Sequence, residues 1–184
     1  LEDGISDAAL VAGPVLPTLP GTLEDATLTP EAIADQLAEL TVIDLGLSSD
    51  YDRAHLPGAC WTTRDRLEPA LRELAAAGGM RRLLLTSGDG LLARLALPEA
   101  RGWASANAPE LAVDALAGGT DAWVTAGLAT SSGLERTIGP TDDVWYKPYD
   151  HRGNQEQFMR DYLTWEVALV EQIENDGTTR FREL

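Results

Sequence analysis

The chain has 184 residues, 44% of them hydrophobic, enough for one ordinary domain with a sizeable core and an added tail. It carries 14 Lys and Arg against 30 Asp and Glu. The resulting net charge of −16 repels phosphate backbones and anionic lipid, which argues against nucleic-acid and membrane partners. A single cysteine, Cys60, excludes an internal disulfide and a multi-cysteine zinc cluster, and the two histidines, His55 and His151, lie far apart. No metal and no other cofactor is expected. The acidic start Leu1-Glu2-Asp3-Gly4 lacks the basic region of a signal peptide, and no apolar run reaches transmembrane length, so a cytoplasmic location is expected.

Residues 1–28 read as a leader, since Gly13, Pro14, Pro17, Pro20 and Gly21 punctuate it too often for a long element. Thr29 suits an N-cap, Pro30 the first helical position and Glu31 the positive end of a helix dipole. Ile33, Leu37 and Leu40 then recur at helical spacing. Residues 41–45 form a short β-rich run closed by Gly46 and predict a buried strand. Residues 59–63 predict a second strand. Leu67, Leu71 and Leu74 line a helix that stops at Gly78-Gly79. Residues 83–86 predict a third strand, closed by Ser87-Gly88-Asp89-Gly90. A helix restarts at Leu91 and is expected to end at Leu97, before Pro98. Residues 111–116 predict another strand, ended by Gly118-Gly119, and residues 121–126 a short helix stopped by Gly127. Strands alternating with helices predict an α/β fold: a central, mainly parallel sheet flanked by helices. Such sheets place binding and chemistry in loops after the carboxyl ends of strands.

The composition changes near residue 130. The domain is expected over 29–130 and a C-terminal extension over 131–184. Thr130-Ser131-Ser132-Gly133 opens a linker, and an irregular stretch with Trp145, Tyr146, Pro148 and Tyr149 follows. A long helix is expected over about 154–175, with Asn154 and Gln157 resembling a capping box and Gly177 suiting its end. Phe158, Tyr162, Trp165, Leu169 and Ile173 form a stripe at helical spacing, widened by Met159, Leu163 and Val170. Such a stripe packs on protein, either its own domain or a partner.

Three segments carry a family resemblance. The run Asp50-Tyr51-Asp52-Arg53-Ala54-His55-Leu56-Pro57-Gly58-Ala59 resembles the E-Y-x-x-G-H-I-P-G-A signature of rhodanese domains. The run Val113-Asp114-Ala115-Leu116-Ala117-Gly118-Gly119-Thr120-Asp121-Ala122-Trp123 resembles their V-x-x-L-x-G-G-x-x-A-W signature. Val42-Ile43-Asp44 resembles the strand that ends in D-x-R before the first signature. The resemblance covers roughly residues 27–130 and implies the rhodanese-like fold. The motif residues have structural work to do. Pro57-Gly58 turns the chain into the next strand, His55 is expected to bond backbone there, Gly118-Gly119 supply positive φ, and Trp123 packs on the core.

The resemblance also implies where an active site would sit. Rhodanese enzymes place a nucleophilic Cys at the end of the fourth sheet strand, opening a C-x-x-G-x-R loop, and carry sulfur on it as a persulfide. Here that loop is Ser87-Gly88-Asp89-Gly90-Leu91-Leu92. Ser87 falls at the Cys position, Gly90 matches the loop glycine, and Leu92 replaces the basic residue. A one-residue shift would place Thr86 there, with the same consequence. A serine hydroxyl is barely ionised near neutral pH and forms no persulfide, and neither histidine is placed in sequence as its base. Asp89 opposes an anionic donor, and Gly46 stands where D-x-R has Arg. The related phosphatase loop C-x5-R fails too, because Ala93 holds its last position and Arg94 lies one beyond. Cys60 reads as a small buried hydrophobe, with a relocated sulfur carrier as its functional alternative. A weak anion or peptide site at 87–90 is a further alternative.

The resemblance therefore implies an inactive homologue with no catalytic residue of its own. Its role would be structural or regulatory in a bacterial, multidomain thiosulfate sulfurtransferase, and its partners other rhodanese domains of a parent chain or an identical subunit. Two alternatives remain open. One is a sulfurtransferase, a transferase active through another domain or Cys60. The other is an interaction module.

Overall fold

The computed structural model describes residues 27–147 and 154–177. Most of the expected leader, together with Pro148, Tyr149 and His151, lies outside the described residues. The chain divides into two compact units that meet in sequence between Gly139 and Pro140.

The first unit runs β1 (Thr27–Leu28), α1 (Pro30–Ile33), a 3-10 turn over Ala34–Glu39, β2 (Thr41–Asp44), α2 (Ser48–Arg53) and β3 (Cys60–Trp61). It continues with α3 (Leu67–Ala77), β4 (Arg82–Thr86), α4 (Leu91–Asn107), β5 (Ala112–Leu116) and α5 (Gly119–Thr125). The five strands form one sheet in the order β1-β5-β4-β2-β3, and every pair is parallel. Non-adjacent order with parallel pairing requires helical crossovers, as the alternation in sequence predicts.

Strand alternation sorts the core into two faces. Ile43, Leu83, Leu85, Val113 and Ala115 pack with Leu67 and Leu71 of α3 and with Ala93, Ala96, Leu97 and Ala100 of α4. Val42, Leu84 and Leu116 pack with Ile33 of α1, Tyr51 of α2 and Trp123 of α5. The sheet is therefore buried on both sides, which explains its run of Leu and Val residues without polar alternation.

Several expectations are met residue by residue. The Thr29 hydroxyl accepts from the Ala32 N–H at 3.4 Å with Pro30 in the first helical turn. Gly58, Gly118 and Gly119 have φ of 77°, 67° and 63°. The Trp123 indole N–H donates to the Ala129 carbonyl at 2.8 Å while its ring lies in the core.

Other expectations are corrected. Thr27 and Leu28 are not leader but a strand, paired with Ala115 and Leu116. Pro98 does not end α4, which continues to Asn107. Proline removes one N–H and the helix tolerates this because Ala96, Leu97, Ala100 and Ala104 are buried on either side of it. The helix α2, unassigned in sequence, carries Tyr51 inward. The first unit also continues past residue 130. His55 and Ser131 exchange backbone hydrogen bonds of 2.9 Å each way, and Trp61 N–H donates to the Arg136 carbonyl at 2.8 Å. These bonds tie 131–139 to the edge of the sheet beside β3.

Among its described residues the second unit contains one helix, α6 (Gln155–Asp176). The Asn154 side chain accepts from the Gln157 N–H at 3.3 Å, and Gly177 closes the helix with φ of 63°. Phe158, Tyr162 and Trp165 on α6 gather with Trp145 and Tyr146 around a hollow and stay partly exposed, and Leu163, Val167 and Val170 are exposed as well.

Candidate functional site

The segment 87–90 joins the carboxyl end of β4 to the start of α4, at the edge of the sheet where α/β proteins bind their ligands. Ser87 is 3% exposed. Its Oγ accepts the Ala93 N–H at 3.2 Å, so the hydroxyl serves as an acceptor for the first turn of α4. The Ser87 carbonyl accepts two backbone N–H groups, from Gly90 at 3.1 Å and from Thr120 at 3.0 Å. The Gly88 carbonyl accepts from Asp121 N–H at 2.9 Å. The loop is thus stitched to the start of α5.

That stitching requires glycine. A Cβ on Gly90 would stand 2.8 Å from the Gly119 nitrogen and 2.9 Å from the Leu116 carbonyl oxygen, and Gly90 has φ of 80°. Gly90 is therefore used here for close backbone approach.

Asp89 is exposed, and its carboxylate accepts the Leu91 N–H at 2.9 Å. A carboxylate at a helix N-terminus satisfies the field that would otherwise attract an external anion. The Gly90, Leu91 and Ala93 N–H groups are all engaged within the loop itself, by the Ser87 carbonyl, Asp89 and the Ser87 hydroxyl. Leu91 is exposed, while Leu92 packs against the apolar cluster between the sheet and α4.

Beside the loop lies a cleft of about 680 Å³, lined among others by Asp44, Gly46, Asp50, Arg53, Gly88 and Asp121. Its charge is mainly negative, and Arg53 is paired with Asp50. Asp44 is 3% exposed and accepts from the Gly46 N–H at 2.8 Å and the Thr120 hydroxyl at 3.2 Å. The Thr120 hydroxyl also lies 3.1 Å from that of Thr86. Burial pushes the Asp44 carboxyl above the usual carboxylate range, against the opposing pull of those hydrogen bonds. Sequence reasoning placed Asp44, Thr120 and Asp121 in fold motifs and missed their convergence on the loop. The convergence follows from the sheet order, in which β2 and β5 flank β4 on either side, and that order is not written in either motif.

Cys60 stands apart from this loop. It opens β3, two strands away from β4, and is 4% exposed. Its thiol lies 3.5 Å from the Val42 carbonyl, and burial raises its pKa more than the nearby Arg136 lowers it. His55 is likewise structural. Its Nδ1 lies 2.7 Å from the Tyr51 carbonyl, which only accepts, so Nδ1 carries the proton. Its ring stacks on Tyr51 at 3.8 Å.

Among the described residues no helix is long and apolar enough to cross a membrane. No family model and no curated protein matches the sequence. Among solved structures, the chain is similar to a thiosulfate sulfurtransferase from Pseudomonas aeruginosa, at 36% identity and a TM-score of 0.77, over 99% of this chain and 34% of that one. It therefore spans about a third of the length of that protein. Weaker likenesses are to a rhodanese-like domain from Anabaena (19% identity, TM-score 0.48, 71% of this chain and 95% of that one). Another is to a 3-mercaptopyruvate sulfotransferase from Escherichia coli (19% identity, TM-score 0.44, 60% of this chain and 51% of that one).

Proposed function

We propose, from the premise that this chain is a rhodanese-like domain, that it transfers no sulfur itself and serves a structural or regulatory role in a larger sulfurtransferase. The observation that supports this reading is the buried hydroxyl of Ser87 in the loop after β4, which the resemblance aligns with the family's thiol. Sulfur transfer needs a nucleophilic thiolate that forms and releases a persulfide. The chain's one thiol, Cys60, is buried two strands away with its pKa raised. The partners in this reading are other rhodanese domains or an identical subunit, in the cytoplasm. The exposed Leu163, Val167 and Val170 of α6 supply an apolar surface for such packing. Nucleic acid and anionic membranes are disfavoured by the net charge of −16.

Thiosulfate-to-cyanide turnover tests the reading. The chain is expected to show none above background, and turnover abolished by Cys60→Ser would overturn it. Ser87→Cys tests the loop from the other side. Mass spectrometry is expected to find one sulfane sulfur on the new thiol after incubation with thiosulfate. Failure to load would show that either the assignment of Ser87 to the nucleophile position or the loop's ability to hold an anionic donor is wrong.

A further inference from the structure

The second unit holds a concave aromatic site that the sulfur-transfer reading does not use. Trp145, Tyr146, Phe158, Tyr162 and Trp165 line a cavity of about 440 Å³ together with Asp161 and Val144. Trp165 is its centre. Its ring centroid lies 6.1 Å from that of Trp145, inclined by 51°, and 5.9 Å from that of Tyr162, inclined by 39°. The rings are tilted to one another, so they wall a hollow instead of closing into a stack. Trp145 is 77% exposed, which leaves the hollow open to a ligand.

We propose that this hollow binds a methylated ammonium group. Aromatic faces carry negative potential and attract a cation placed over them. Among the described residues that line the cavity, Asp161 is the charged one, and its sign matches. The Gln157 side-chain amide donates to one Asp161 carboxylate oxygen at 2.8 Å and fixes the group on the helix. The lining also selects among cations. A lysine ammonium brings three N–H donors and an arginine guanidinium five, each needing an acceptor when desolvated. A wall of rings with a single carboxylate offers few. A quaternary ammonium has no N–H to satisfy, and its methyl groups gain apolar contact with the rings. The volume falls within the range of small-molecule sites, roughly 300–1,000 Å³.

Choline and its neutral carbon isostere, 3,3-dimethylbutan-1-ol, test this on the full chain. Binding is read from the indole N–H resonances of Trp145 and Trp165. Choline is expected to shift both signals saturably and to bind about three-fold or more tightly than the neutral isostere. Asp161→Asn, which keeps an oxygen for Gln157, is expected to weaken choline several-fold and leave the isostere unchanged. Trp145→Ala, at an exposed position, is expected to abolish the preference for the cation. Equal affinity for the two probes would overturn the proposal, reducing the hollow to an apolar pocket. Absence of a saturable shift with choline in the folded wild-type chain would overturn it outright.

Discussion

A Cβ built on Gly119 would stand 1.9 Å from the Ser87 carbonyl oxygen. It would also lie 2.3 Å from the Gly90 nitrogen and 2.5 Å from the Gly88 carbonyl oxygen. These are backbone atoms held by their own hydrogen bonds, so no side chain can swing aside. Gly119 also has φ of 63°. Gly119→Ala therefore combines overpacking with left-handed strain and is expected to cost roughly 2–4 kcal/mol. Gly127→Ala is the control. Gly127 has φ of 70° with nothing within 4 Å of its added Cβ, so strain alone applies, about 1–2 kcal/mol. Urea unfolding of both variants checks this, and equal losses would mean that the contact with Ser87 does not hold the loop.

Asp44 makes stability depend on pH. Its carboxyl is buried, and desolvation sets its folded pKa above the unfolded value. A group of this kind contributes stability fully below its unfolded pKa and loses it as pH rises through the folded pKa. Asp50 nearby adds to the upward shift, while His55 and the hydrogen bonds from Gly46 and Thr120 oppose it. Asp44→Asn cannot ionise. The stability of the wild type minus that of the variant is therefore expected to fall as pH rises from the acid side, then level off. Unfolding of both proteins across that range measures it. A difference that rises with pH would reverse the sign assigned to burial.

Much of the architecture was legible in the sequence because its signals are local. Thr29-Pro30, Pro57-Gly58 and Gly118-Gly119 act within a few residues, and the structure uses each as turn or cap chemistry dictates. The misreadings lie where tertiary contact overrides local preference. Pro98 is a strong helix breaker, yet α4 passes through it because its alanine face is buried against the sheet. Thr27-Leu28 is too short to announce a strand and owes its form to β5. The site was legible in part. Position 87 falls at the end of β4 as its place in the sequence predicts, but the bond from Ala93 N–H to the Ser87 hydroxyl has no sequence signal. The meeting of Asp44 with Thr120 depends on which strands are neighbours.

Cys60 is expected to be chemically silent in the folded chain. It is 4% exposed, its thiol lies within 3.5 Å of the Val42 carbonyl, and burial disfavours the thiolate. The thiolate is the reactive form, so a disulfide reagent at mildly alkaline pH should modify the native protein orders of magnitude more slowly than the urea-unfolded one. The slow rate should follow local opening and rise with denaturant. Rapid stoichiometric modification without denaturant would contradict the buried placement and reopen Cys60 as a sulfur carrier.

Asp89 sets the charge of the loop, and its effect is best read once a thiol is present. In Ser87→Cys the reacting donor is thiosulfate, a dianion, and Asp89 stands two residues away with its carboxylate on the Leu91 N–H. Asp89→Asn removes the charge but keeps an oxygen for that N–H, so the loop geometry is retained. The group is exposed, so water screens its repulsion, and neutralising it is expected to raise the rate of sulfur loading by roughly two- to five-fold. Salt separates charge from shape. The gain should shrink as ionic strength rises toward 1 M, where the screening length falls to about 3 Å. A gain that persists at high salt would mean that Asp89 obstructs the loop by its packing, and that repulsion of an anionic donor plays no part.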